Sequence, residues 1–350
     1  MSRRTIATLV AAGLLVALVV QVARLSVPFV TVSPGVTVNV LGKNGDEPVV
    51  QVEGHRTYPT DGELRLTTVS VTNPEAKVNL VGALAGWFRD DVAVLPYEAM
   101  YPDASTAEQE RAESAAQMVN SQDTAIAVAL TELGYDLPTY AEVTGVTPGG
   151  PSAKVLKPRD RIVSIGGKPV ADVDSVFRLV GGLEVGEKVT VEVRRGGEDR
   201  RLEVTTEAAP DDPERAILGI LVGTGYQFPF EVDVGIDDTI GGPSAGLMFA
   251  LSVYDVLTPG ALLDGTIVAD TGSISAEGEV GPIGGIRQKI AGAEDSGASV
   301  FLVPPANCAA AVGAPVDDIE LIRAETFSSA LDALKKYVED PDAELPRCEE

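Results

Sequence analysis

Gly242-Pro243-Ser244-Ala245-Gly246, followed further along by Gly284-Gly285-Ile286-Arg287-Gln288-Lys289, pairs a serine at an expected helix start with a lysine on a second helix. The only histidine in the chain is His55, far upstream. A Ser-His-Asp apparatus is therefore hard to build, and Ser244 with Lys289 is the natural candidate for nucleophilic chemistry. A solvated lysine is protonated at neutral pH and cannot act as a base. Bringing its pKa from about 10.4 toward 7 takes roughly 4 to 5 kcal/mol of differential stabilisation, which burial in an apolar pocket can supply. The expected helix over 286–296 is rich in Ile, Ala and Gly, consistent with a lysine that points inward. Gly284 and Gly285 permit close backbone approach at its start. Ser244 is expected in the first turn of a helix over 243–257, where unpaired N–H groups suit an oxyanion and Gly242 leaves room for a substrate carbonyl.

The chain has 350 residues, 45% of them hydrophobic, enough for packed cores and two folded modules. Its net charge of −25 excludes a nucleic-acid partner, because no basic face could dominate that field. Acidic surface charge is read here as a means of solubility.

Residues 5–23 carry no charged side chain. As a helix they would span about 28 Å, close to the hydrocarbon thickness of a bilayer. Arg3 and Arg4 precede them, which favours a cytoplasmic N-terminus. A cleaved signal peptide is the competing reading, but the run is long and ends Val22-Ala23-Arg24 without a small-x-small site. The expectation is an uncleaved single-pass anchor in the cell membrane over 1–25, with the remainder extracytoplasmic. Cys308 and Cys348 both fall in that exported part. An even pair in an oxidising compartment points to one disulfide tethering the C-terminal tail (341–350), with free thiols as the alternative.

Along the chain, residues 27–42 read as β-rich with a turn at Ser33-Pro34-Gly35, and residues 64–71 alternate like a good strand. Ser105-x-x-Glu108 looks like a capping box opening a long helix that ends near Gly134. Trp87 and Phe88 are expected to plug the core, and His55 to lie in a loop with no catalytic role. Ala209-Pro210-Asp211-Asp212-Pro213-Glu214 reads as a linker, after which strands and helices alternate in an α/β pattern.

Two resemblances organise this pattern. Pro148-Gly149-Gly150-Pro151-Ser152-Ala153 with Asp160-Arg161-Ile162-Val163-Ser164-Ile165-Gly166-Gly167-Lys168-Pro169-Val170, within 131–207, resembles a bacterial PDZ domain. Arg159 stands where that phrase commonly has glycine, and Leu133-Gly134-Tyr135 loosely resembles its carboxylate-binding loop. The resemblance implies a small, mostly-β domain that captures an extended peptide as an added strand; a spacer is the competing reading. Thr239-Ile240-Gly241-Gly242-Pro243-Ser244-Ala245-Gly246, Ala269-Asp270-Thr271-Gly272 and the segment from Gly278 to Lys289 resemble, in order, the proteolytic domain of Lon (S16-type) proteases. By that resemblance Ser244 is the nucleophile and Lys289 its general base. Thr271 helps orient the lysine, and Gly242, Pro243 and Ala245 support the serine. Gly241 departs from the aspartate typical of ATP-dependent members.

The arrangement is similar to membrane-anchored Lon-like proteases that pair a PDZ domain with an S16 domain. It implies an α/β (α+β) proteolytic domain over 208–340, a PDZ domain over 131–207 and one transmembrane helix. Residues 26–130 also look like the opening strand and helix of the Lon domain, which would make the PDZ module an insertion. No G-x-x-x-x-G-K-[ST] occurs, so neither ATP nor another cofactor is expected, and the lack of H-E-x-x-H argues against a metalloprotease. The resulting expectation is an ATP-independent serine endopeptidase acting on exported or membrane-tethered polypeptides. The alternative is a non-catalytic PDZ adaptor that binds C-termini or extended peptides. Resemblance to Lon also raises the expectation of a homo-oligomeric ring, which no residue establishes.

Overall fold

The computed structural model describes residues 3–73, 78–101, 107–237, 239–260, 262–316 and 318–349. Helix α1 (Arg3–Ala23) stands apart from the folded body with none of its residues buried. It is long and apolar enough to cross a membrane.

The first sheet is built from β1 (Phe29–Asn39), β2 (Glu63–Val71), β3 (Ala93–Pro96), β9 (Ile267–Asp270), β10 (Val300–Val303) and β11 (Glu320–Arg323), in the order β11-β10-β9-β2-β1-β3. Strands β2, β9, β10 and β11 run parallel to one another, and β1 pairs antiparallel with β2 and β3. Both faces are covered, and β10 accordingly reads as a continuous apolar run, Val300-Phe301-Leu302-Val303. Successive residues serve opposite layers: Val300 and Leu302 enter one core, Phe301 and Val303 the other. Helices α3 (Ala107–Glu132), α5 (Gly246–Leu257) and α7 (Phe327–Glu339) fill the first layer. Helix α6 (Ile286–Asp295) fills the second. Ser33-Pro34-Gly35 is not a turn. It is a bulge within β1, where Pro34 cannot donate to the ladder and a side chain at Gly35 would strike Thr68.

The second sheet takes β4 (Thr139–Val146), β5 (Asp160–Ile165), β6 (Lys188–Arg195), β7 (Glu198–Thr205) and β8 (Ile220–Tyr226), all antiparallel, in the order β7-β6-β5-β4-β8. Helix α4 (Val173–Val180) covers one face, capped by the Asp172 side chain accepting from Ser175 N. The buried Asp160 carboxylate is held by both ends of the Arg195 guanidinium at 2.6 Å, the fork geometry that makes burial of a charge affordable. Two sequence expectations change here. The stretch expected as a linker folds as a hairpin, Glu207–Ala209 against Asp212–Ile217. The second sheet also extends past residue 207, because β8 pairs with β4 along its length.

Helix α3 connects the two sheets, packing on α5 with one side and on β4 and β8 with the other. Ser105 of the expected capping box lies outside the described residues. The helix ends in a Schellman motif: Gly134 takes φ +89°, Tyr135 N donates to Leu130 O, and Gly134 N to Thr131 O. Trp87 and Phe88 do not plug the core. They close helix α2 (Leu80–Trp87) with 58% and 88% of their surface exposed.

Candidate active site

The loop before α5 sets the serine. Gly242, at φ +90°, turns the chain into Pro243, and its N–H donates to Ser114 O on α3. Ser121 Oγ donates to Pro243 O at 3.2 Å, so α3 clips the turn twice. Helix α5 begins at Gly246, later than the sequence suggested. The reason is the Ser244 carbonyl, which accepts from Gly272 N at 3.0 Å and Thr271 Oγ1 at 3.1 Å and so is not spent inside the helix. Phe249 N→Ala245 O is the first helical bond of this turn. The amides of Ser244 and Ala245 have no acceptor among the described residues. A side chain at Gly241 would press on Ser114 of α3, so the close passage of that helix favours glycine here.

The lysine comes from the other face of the sheet. Gly285 adopts φ +70° at the N-cap of α6, and Lys289 sits in the first turn, 3% exposed. Its Nζ lies 2.7 Å from Ser244 Oγ and 2.8 Å from Thr271 Oγ1. Burial lowers the Lys289 pKa to about 8, against the pull of the Asp270 carboxyl, which raises it. Asp270 is wholly buried, and burial pushes its pKa well above the carboxylate range, with Lys289 opposing. Neither of its carboxyl oxygens has a hydrogen-bond partner among the described residues. The residues surround a cavity of about 260 Å³ whose walls include Ser244, Lys289, Met118, Thr67 and Val69.

Ser244, Lys289 and Thr271 thus converge, with Gly242, Pro243 and Ala245 forming the turn beneath them. Cys308 and Cys348 are joined by a disulfide. Leu133, Gly134 and Tyr135, expected as a peptide-binding loop, instead form the C-terminal cap of helix α3. Leu133 and Tyr135 pack against the main core, and Tyr135 contacts Phe230 and His55, its hydroxyl 3.1 Å from His55 Nε2. Strand β8 forms one edge of the second sheet and β7 the other, and β8 is preceded by Leu218 and Gly219 (φ +66°). A groove of about 680 Å³ runs beside it, between Val173 of α4 and Asn120 of α3, and reaches Pro243. Sequence reasoning missed this edge because it closed the PDZ module at residue 207, before the strand begins. It also missed Asp270, whose signal was a lone acid inside an otherwise apolar strand.

Residues 116–206 match the PDZ domain family, and residues 238–335 match the Lon protease (S16) C-terminal proteolytic domain. Lon protease 2 of Bacillus subtilis (strain 168) is 38% identical over 134 residues, 37% of this chain and 23% of the relative. A probable periplasmic serine endoprotease DegP-like of Marinomonas sp. (strain MWYL1) is 31% identical over 175 residues, 44% of this chain and 36% of the relative. The chain therefore spans well under half the length of these curated relatives. The PDZ domain of an SdrC-like protein from Listeria monocytogenes aligns at 20% identity over 24% of this chain and 86% of its own, with a TM-score of 0.22. By its two family matches, the chain carries a PDZ domain and, C-terminal to it, the proteolytic domain of the Lon (S16) protease family.

Proposed function

We propose that this chain is an ATP-independent, membrane-anchored serine endopeptidase working through a Ser244–Lys289 dyad. The observation that carries the reading is the 2.7 Å approach of a nearly dry lysine amine to the Ser244 hydroxyl. In the reactive state the neutral amine accepts the Ser244 proton as Oγ attacks a peptide carbonyl. An amine N–H donates to Thr271 Oγ1, whose own hydroxyl donates to the Ser244 carbonyl, so the threonine fixes both partners. The free amides of Ser244 and Ala245 are placed to receive the developing oxyanion. The lysine then returns its proton to the leaving amine, and water resolves the acyl-enzyme by the same route.

Substrates on this reading are extended, exported or membrane-tethered polypeptides. A segment adding as a strand to the open β8 edge would lie in the groove that reaches Pro243, which places recognition next to cleavage. The PDZ module is read as an insertion, supported by strands β1 and β2 before it and β9 to β11 after it sharing one sheet. The test is hydrolysis of an unfolded protein without ATP by the full chain in detergent. Ser244→Ala and Lys289→Ala, each checked for intact folding, should lose activity; equal peptide release by all three would end the catalytic reading.

A further inference from the structure

Helix α2 is apolar all round, a pattern that water alone does not stabilise. From Leu80 to Phe88 no charged residue occurs. Its inner face is small: Ala83 and Gly86 are buried, and a side chain at Gly86 would press on Val94 and Val92. Its outer face is large: Val81, Leu84, Trp87 and Phe88 are all exposed. Trp87 is not loose, since its ring meets Phe29 edge-on at 5.8 Å between centroids.

The position of this face says what covers it. Helix α1 ends at Ala23. Leu80 N donates to Leu25 O at 2.9 Å, Val27 N donates to Val78 O at 2.9 Å, and Ser26 bridges Asn79. The start of α2 is thus tied to the first residues leaving the apolar span, and Leu25 there is itself exposed. We propose that α2 is a second membrane contact, lying in the interface of the outer leaflet with Trp87 and Phe88 at headgroup depth. It seats the proteolytic domain against the bilayer surface. The inference rests on reading α1 as a membrane anchor. Aromatic residues favour that depth, and a short apolar helix tied to the exit of a span is held beside it.

Trp87 is the only tryptophan of the chain, so intrinsic fluorescence reports this site alone. The full chain would be reconstituted into phosphatidylcholine nanodiscs, which leave both faces open to water. Co-migration with the discs tests the anchor, and failure of it overturns both readings. With co-migration established, lipids brominated on the acyl chains should cost Trp87 most of its emission while aqueous iodide has little effect. The double variant Leu84→Asp, Phe88→Asp should stay in the discs and lose the lipid quenching. Quenching of native Trp87 by iodide but not by brominated lipid would overturn the inference and leave the anchor standing. Shielding from both quenchers that grows with protein density would assign the face to a second copy of the chain, and so would also overturn it.

Discussion

The Arg159 guanidinium lies 3.4 Å from a carboxylate oxygen of Asp123, joining the PDZ sheet to helix α3. Arg159 holds φ +66°, a conformation in which a non-glycine residue is strained by roughly 1 kcal/mol. Glycine at 159 would relieve that strain and strip the buried Asp123 of its cation. Burial raises the Asp123 pKa, Arg159 opposes this, and Asp233 adds to it. A raised carboxyl pKa means stability that is present at low pH and lost as pH rises through it. The relieved strain shifts Arg159→Gly equally at every pH, so the variant should lose ground to the native protein as pH rises, by up to about 1 kcal/mol, or about 2–4 °C, between acid and mildly alkaline pH. Melting curves that separate equally at both pH values would contradict the latch.

With the Lys289 pKa lowered to about 8, the neutral amine is the minor form at neutral pH. Peptide hydrolysis should climb with pH and approach its plateau above about 8, the sign expected when deprotonation creates the base. Lys289→Arg keeps the charge permanently and should lose at least about 10²-fold in kcat at every pH. A rate independent of pH between about 6 and 9 would remove the lysine from the mechanism.

Thr271 touches both partners, receiving the amine and tying down the Ser244 carbonyl. Thr271→Val preserves shape and removes the hydroxyl, leaving a buried amine short of one acceptor. The expected effect is a fall in kcat of about tenfold or more with little change in KM, since about 1–2 kcal/mol of hydrogen bonding is lost at the base. Thr271→Ser should restore most of it. A fall confined to KM would assign Thr271 to the substrate pocket.

What could be read from sequence was what local chemistry fixes. The glycines around Ser244 and before Lys289 mark turns, and it was the resemblance of these segments to Lon proteolytic domains that made the pair a candidate site. Contacts between distant segments were not legible. That α3 clips Pro243 through Ser121, or that β8 joins β4 across the whole PDZ module, is decided by tertiary packing. Trp87 and Phe88 failed for a related reason: composition says that aromatics seek cover, and it does not say whether the cover is protein or lipid. Leu133-Gly134-Tyr135 misled because a glycine between apolar residues serves a helix cap as well as a peptide loop.

The Cys308–Cys348 disulfide spans a separation of 40 residues and fastens the tail over β11. There Cys348 N donates to Leu321 O, and Arg323 N to Pro346 O. Loop-closure entropy sets an upper value of about 4 kcal/mol for such a link. Cys348→Ser should lower the melting temperature by several degrees and open the 340–349 segment to proteolysis. Hydrolysis at low temperature should persist, because neither cysteine touches the Ser244 cavity. Unchanged melting with and without reductant would show the link to be absent in solution.

Asp270 shares a dry compartment with Lys289, and each is the other's charged neighbour there. An ionised carboxylate with no hydrogen-bond donor is costly there, by several kcal/mol. Two arrangements avoid that cost: a protonated acid beside a neutral amine, or an ion pair. They contain the same number of protons, so a small bias decides whether the amine is free to act as base. Asp270→Asn removes the negative partner while keeping the shape. The Lys289 pKa should then drop further, and the rising limb of hydrolysis should move to lower pH. Stability should respond in the same experiment. The Asp270 pKa is raised on folding, so the native protein loses stability as pH rises through the range between its unfolded and folded values, and the asparagine variant should not. The two melting curves should accordingly diverge toward high pH, the variant being the more stable. A limb that stays in place while the melts diverge would show the acid to be protonated throughout catalysis, bearing on stability alone.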